Sequence, residues 1–197
     1  MSGRPLEFDP GIALKAAMNV FWEKGYEATS MQDLLTAMQI SKSSLYLEFG
    51  DKKSLFRQCL SRYIHDFAES MRQQLDQADS GWQFISQFIG SAQDDVRATQ
   101  GRRGCLVMNT ASELAQRDAD TAGDILAGIA IFRGVLESAV RRAQQEGNIP
   151  AEPDAATVAL FMISSMSGLK IQAKAGADAS AIQSIVAIIL KAIRQGL

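Results

Sequence analysis

Apolar residues recur at three- and four-residue spacing almost throughout this chain, and no run of alternating β-branched residues interrupts them. That period belongs to a helix with one buried face, whereas a half-buried strand repeats every second residue. The expected fold is therefore all-α. Helix starts and stops are legible as well. Asp9 is an N-cap followed by Pro10, whose missing N–H costs nothing in a first turn, and Gly25 supplies a left-handed stop. Ser30 caps a short second helix, with Asp33 where an acid meets free amides. After a tight turn at Gln39-Ile40, Ser41 caps a third short helix that ends at Phe49-Gly50. Asp51 then caps a long fourth helix running from Lys52 to about Gln77. Further helices are expected over 82–99, 105–116, 121–146, 154–175 and 179–195, about nine in all.

No flexible linker separates the first 50 residues from the rest, so the domain boundary is expected inside the fourth helix. That gives a helix-turn-helix unit over 1–55 and a helical regulatory and dimerisation unit over 56–197. Apolar stretches are broken by Gln, Ser, Lys or Arg every few residues, short of the roughly 20 uninterrupted apolar residues a membrane span needs. The N-terminus lacks the apolar core of a secretory signal, so a cytoplasmic protein without membrane contact is expected. Cys59 and Cys105 lie far apart and His65 is the single histidine, which fits neither a disulfide framework nor a metal site. There is no phosphate-cradling glycine loop, GxSxG, HExxH or CxxC, so neither an enzyme nor a cofactor is expected.

Charge does not announce a nucleic-acid binder: residues 1–60 carry seven basic and seven acidic side chains. Local arrangement does. Two short helices joined by a tight turn and braced by a preceding helix describe a helix-turn-helix, whose second short helix enters the major groove with its N-terminal residues leading. Here those residues are Ser41, Lys42, Ser43 and Ser44. Small hydroxyls permit close backbone approach, and Lys42 can reach a phosphate or a guanine edge. Leu45 and Phe49 face inward, Tyr46 points toward the sugar-phosphate backbone, and Lys52 and Lys53 can pair with phosphates. Arg4 is placed to enter a minor groove as an N-terminal arm. The same geometry also occurs in all-helical interaction modules that bind no DNA, and this alternative stays open on spacing alone.

Residues 21–56, FWEKGYEATSMQDLLTAMQISKSSLYLEFGDKKSLF, resemble the DNA-binding region of the TetR/AcrR family of one-component repressors. The matching elements are the aromatic residue and Gly25-Tyr26 at the end of the first helix, and Ala28-Thr29-Ser30 before the second. The third is the set Ile40-Ser41-Lys42, Ser44-Leu45-Tyr46, Phe49, Lys52 and Leu55. The resemblance implies a homodimer that represses by occupying a palindromic operator until a small-molecule effector releases it. It implies that Ser30 meets a phosphate, that Lys42, Ser43 and Ser44 face base edges, and that Tyr46 and Lys52 grip the backbone. Glu48 departs from the family pattern and is held out of the contact set, and Leu47 adds no polar contact.

The last two helices carry wide apolar stripes with small residues among them. The resemblance implies that Met162, Ser165, Leu169, Ile182, Val186 and Ile189 pair with a second subunit; the other reading is that they close the chain's own core. Phe84, Phe88, Met108 and Phe132 are candidate lining residues of an effector pocket. Cys105 follows Arg102-Arg103-Gly104 and opens a helix, and both the helix terminus and the arginines favour a reactive thiolate. The stretch Arg103–Val107, with Glu113 and Lys174, resembles a subgroup in which some members sense reactive electrophiles through this cysteine. A small buried hydrophobe is the alternative for Cys105, and Cys59 is expected to be structural.

Overall fold

The computed structural model describes residues 8–97 and 103–196. Its helices are α1 (Pro10–Lys24), α2 (Met31–Met38), α3 (Lys42–Phe49), α4 (Lys52–Gln77), α5 (Gly81–Gly90), α6 (Ala92–Arg97), α7 (Leu106–Leu114), α8 (Ala119–Gln145), α9 (Ala155–Ala175) and α10 (Ala179–Gln195). All nine expected helices are present, and the fifth is broken at Ser91 into α5 and α6. Gly90-Ser91 marks the break, and the last residues of the expected 82–99 span lie outside the described residues.

The first four helices begin where their caps require. Asp9 Oδ1 accepts from the amides of Gly11 at 2.7 Å and Ile12 at 3.0 Å. Gly25, at φ 85°, ends α1 with its amide donated to Phe21 O. Ser30 and Asp33 form a reciprocal capping box, and Ser41 and Asp51 accept from Ser44 N and Ser54 N. Gln39 turns the chain between α2 and α3 in the left-handed region, at φ 55°. The caps hold the ends of α2 and α3, but helices of eight residues are not stable alone. Burial of Leu34, Leu45 and Phe49 against α1 and α4 supplies the rest.

One continuous core joins this unit to the remaining helices. Phe21 of α1 and Phe56 of α4 meet edge-to-face with centroids 4.9 Å apart, both almost fully buried. α8 is the central strut, packed against α4, α5, α7 and α9. It approaches two neighbours through glycines: Gly128 faces Ile64 of α4, and Gly81 of α5 lies over the backbone of Ala139 and Ala143. Arg142 ties the end of α4 down by donating to Leu75 O and Ala78 O, each at 3.0 Å, satisfying carbonyls the helix leaves free. The expected boundary at 55/56 falls in the first turn of α4, a helix that packs on both α1 and α8.

The stripes on α9 and α10 need correcting. Met162, Leu169, Ile182, Val186 and Ile189 are each under 7% exposed within one chain. A side chain already covered has no surface left to offer a second copy, so these five close the chain's own core. Ser165 is half-buried. The outward side carries Leu160, Ser164, Gly168 and Ile171 on α9, and Ser184 and Ile188 on α10. By length and composition α9 also passes as a membrane span, but Val158, Met162 and Leu169 are packed into this core.

A methyl group on Gly81 would stand 2.4 Å from Ala143 N and 2.5 Å from Ala139 O, atoms that cannot turn aside. Gly81→Ala should therefore lift α5 from α8 and lower the unfolding free energy by roughly 1–3 kcal/mol. The urea midpoint measures this, and an unchanged midpoint would mean the helices do not approach so closely.

Candidate nucleic-acid interface and sensor cavity

α3 divides cleanly into two faces. Leu45 and Phe49 are buried, while Lys42, Ser43, Tyr46, Leu47 and Glu48 are exposed and Ser44 is half-buried. Ser41 Oγ lies 2.9 Å from Ser43 Oγ and 2.8 Å from Ser44 Oγ, a hydroxyl cluster around the helix start. Lys42 Nζ stands 5.9 Å from the centroid of the Tyr46 ring, so cation and phenol share the outward side. Leu47, 84% exposed, is the functional candidate the sequence reading passed over. An unburied leucine on this face is suited to the methyl group of a thymine. Its signal was positional: it sits one residue beyond Tyr46, on the side away from Leu45.

Other expected contacts are modified by the structure. Lys52 Nζ stands 4.5 Å from the centroid of the Tyr26 ring, which fixes it near the start of α4. Lys53, expected at phosphates, instead pairs with Asp118 at 2.8 Å and Asp120 at 3.2 Å at the start of α8. Those carboxylates raise its pKa, and Lys53 holds that of Asp118 down. Ser30 is exposed, but its hydroxyl donates to Asp33 Oδ2 at 2.8 Å. Lys24 and Ser30 hold the Asp33 carboxyl well below the usual range, and that carboxyl stands at the N-terminus of α2. Arg4 lies outside the described residues.

A cavity of about 180 Å³ opens between α1, α4, α5, α7, α8 and α9. Phe88, Met108 and Phe132 line it as expected. Phe84 does not: it is buried on α5 with its ring stacked 6.1 Å from that of Phe88. Trp22, Tyr63, Phe67 and Lys170 line it too, though helical spacing alone could not single them out. Cys105 is the N-cap residue of α7, makes no side-chain capping bond and stands in the cavity wall. Tyr63 Oη donates to its Sγ at 3.7 Å. Arg103 donates to Asn19 Oδ1 at 3.1 Å and stands 5.7 Å from the Trp22 ring centroid. Arg102 lies outside the described residues. Lys174 packs beside Gly104, with its Cδ 3.8 Å from where a Gly104 Cβ would stand.

α1 connects this cavity to α2 and α4. Trp22 Nε1 donates to Gly104 O at 3.1 Å, one residue before Cys105. At the other end of α7, Glu113 accepts from Tyr26 N at 3.0 Å and Glu27 N at 2.7 Å, closing the loop that leads into α2. Arg57 reaches Asp124 of α8 through two bonds, at 2.6 and 3.0 Å. Cys59 is the other thiol; burial pushes it up to about 12 and its Sγ lies against Leu14 O, so it is structural.

Comparison with known proteins matches residues 13–59 to the family described as bacterial regulatory proteins, tetR family. Residues 81–189 match the tetracyclin repressor-like C-terminal domain. The HTH-type transcriptional repressor ComR of Escherichia coli K12 is 31% identical over 190 residues, covering 96% of this chain and 90% of that protein. The uncharacterised HTH-type regulator YezE of Bacillus subtilis is 28% identical over 97% of this chain and 99% of its own. A cysteine mutant of the regulator CifR, complexed with 26-bp operator DNA, superposes with a TM-score of 0.83 at 30% identity, covering 96% of this chain and 99% of that one. The reduced form of E. coli NemR, at 15% identity, has the same fold with a TM-score of 0.85, over 95% of this chain and 97% of its own. With both halves matched and a relative of this identity spanning nearly its whole length, the chain belongs to the tetR family of bacterial regulatory proteins.

Proposed function

We propose that this protein is a homodimeric, non-catalytic repressor of the cytoplasm. It holds a palindromic operator through α3 and lets go when the cavity beside Cys105 is filled or the thiol is modified. The observation that carries the reading is α3 itself, a capped helix whose outward face presents Lys42, Ser43, Tyr46 and Leu47 over a buried Leu45 and Phe49. Lys42, Ser43 and Ser44 lead into the major groove, Leu47 meets a thymine methyl, and Tyr46 and Lys52 hold phosphates. Ser30 contributes through the exposed start of α2, and Arg4 through the N-terminal arm. Support for operator binding comes from CifR, which is similar along its whole length and is bound to operator DNA.

Dimerisation places two α3 helices about 34 Å apart, as successive half-sites require. The outward stripe of Leu160 and Ile171 on α9 and Ile188 on α10, with Ser164, Gly168 and Ser165 allowing close approach, supplies the surface. The signal travels through α1. Trp22 is both cavity wall and hydrogen-bond donor to Gly104 O, so a change beside Cys105 reaches the first helix of the DNA-binding unit directly. An altered α1 changes the α3 spacing, and the operator is released by population shift.

Gel shifts with DNA flanking the protein's own gene test the operator claim. Wild type should bind as two chains per site, with affinity falling steeply as salt rises. Lys42→Ala and Tyr46→Ala should each weaken binding roughly tenfold, and Lys42→Ala should lower the salt slope by about one. Absent or salt-independent binding would favour an interaction module without DNA contact.

N-ethylmaleimide should label one thiol in the folded chain and both in denaturant, because the buried Cys59 stays protonated at neutral pH. Labelling should release operator from wild type but not from Cys105→Ser. Equal release from both proteins would remove Cys105 from the mechanism.

A further inference from the structure

Two adjacent lysines open α4, and the structure holds them by opposite means. Lys53 is gripped by the carboxylates of Asp118 and Asp120, at 2.8 and 3.2 Å, so its charge is already matched within the chain. Lys52 stands over a ring instead, its Nζ 4.5 Å from the centroid of Tyr26. Among the described residues no carboxylate pairs with it. A ring face attracts an ammonium through its quadrupole but carries no net charge to cancel it. Lys52 is thereby held in place with its full positive charge.

Tyr26 is itself fixed from several sides. Its backbone amide donates to Glu113 Oε2 at 3.0 Å, which anchors the residue to α7. Its ring packs against Phe56 of α4 with centroids 4.9 Å apart and stacks with Phe21 of α1 at 6.2 Å. Burial, with the carboxylates of Glu27, Asp51 and Asp118, pushes the phenol above its ordinary value, so the ring stays neutral at physiological pH. Tyr26 and Lys52 are both half-buried. A lysine side chain gives up rotational freedom when it docks on a phosphate, and one already held against a ring gives up less.

Resting on the reading of Lys52 as a phosphate contact, we propose that Tyr26 is a positioning residue for operator binding, whose ring sets the Lys52 ammonium in place before DNA arrives. The ring face does the holding, and the phenol hydroxyl takes no part. Because Glu113 of α7 fixes Tyr26, this contact ties a DNA phosphate to the helix whose N-cap residue is Cys105.

Gel shifts of the full-length protein over a range of salt, on the duplex flanking its own gene, test this. Each phosphate paired with a cation contributes about 0.9 to the slope of log affinity against log salt. Lys52→Ala should therefore lower that slope by about one and weaken binding roughly tenfold. Tyr26→Leu should reproduce most of both effects, and Tyr26→Phe, which keeps the ring, should do neither. In the Lys52→Ala background, Tyr26→Leu should cost less than about twofold. A structural role alone would weaken binding by the same factor in both backgrounds and leave the slope untouched, and that result overturns the proposal. So does a Tyr26→Phe variant that behaves like Tyr26→Leu. Proton NMR of the wild type needs no variant: the Lys52 ε-methylene protons should lie upfield of those of other lysines, and an unshifted resonance would contradict the ring contact. The two readings fail separately. An unchanged slope in Lys52→Ala removes Lys52 from the phosphates and the proposal with it. A lowered slope in Lys52→Ala beside an unchanged one in Tyr26→Leu removes Tyr26 alone. If the wild type binds no DNA, both fall with the repressor.

Discussion

A single carboxylate, that of Glu113, closes the turn on which the DNA-binding geometry rests. Its two oxygens accept from the amides of Tyr26 and Glu27, immediately after Gly25 ends α1 at φ 85°. Hydrogen bonds to a charged group are stronger than neutral ones, and here they fix the loop between α1 and α2 to α7 of the other unit. Trp22 makes the parallel connection four residues earlier, from its indole to Gly104 O. The α1 terminus is therefore held from two sides by the segment that carries Cys105. The ion pairs of Lys53 and Arg57 with the start of α8 add orientation at the α4 end. They are largely exposed, so they contribute more to alignment than to stability.

This arrangement makes α3 dependent on structure remote from it. An eight-residue helix has too few internal bonds to persist alone, and its place is set by Leu45 and Phe49 sinking into a core shared with α1 and α4. The same α4 carries Tyr63 and Phe67 in the cavity wall. Two helices join that wall to the core under α3: α1 through Trp22, and α4 through Tyr63 and Phe67.

What was legible in the sequence follows from how local each signal is. The caps at Asp9, Ser30, Ser41 and Asp51 act within three residues of themselves, and the structure reproduces all four. The inward leucine and phenylalanine of α3 follow from spacing once the helix is placed. By contrast, the stripes of α9 and α10 are apolar on more than one side, and periodicity cannot tell a chain's own core from a partner's. Thus Met162 and Ile182 are internal, while Leu160 and Ile188 are outward. Phe84 and Phe88 sit one helical turn apart, and only the pose of α5 decides that Phe88 lines the cavity. Arg103 and Lys53 were assigned roles by their neighbours in sequence. Their partners, Asn19 and Asp118, are more than 60 residues away and become visible only with the fold.

The coupling through α1 is most directly tested by hydrogen exchange at the amides of Tyr26 and Glu27, before and after alkylation of Cys105. If the Trp22–Gly104 and Glu113 contacts carry the signal, alkylation should speed exchange at both amides in step with the loss of operator affinity. Lost operator affinity with unchanged exchange at these two positions would contradict it.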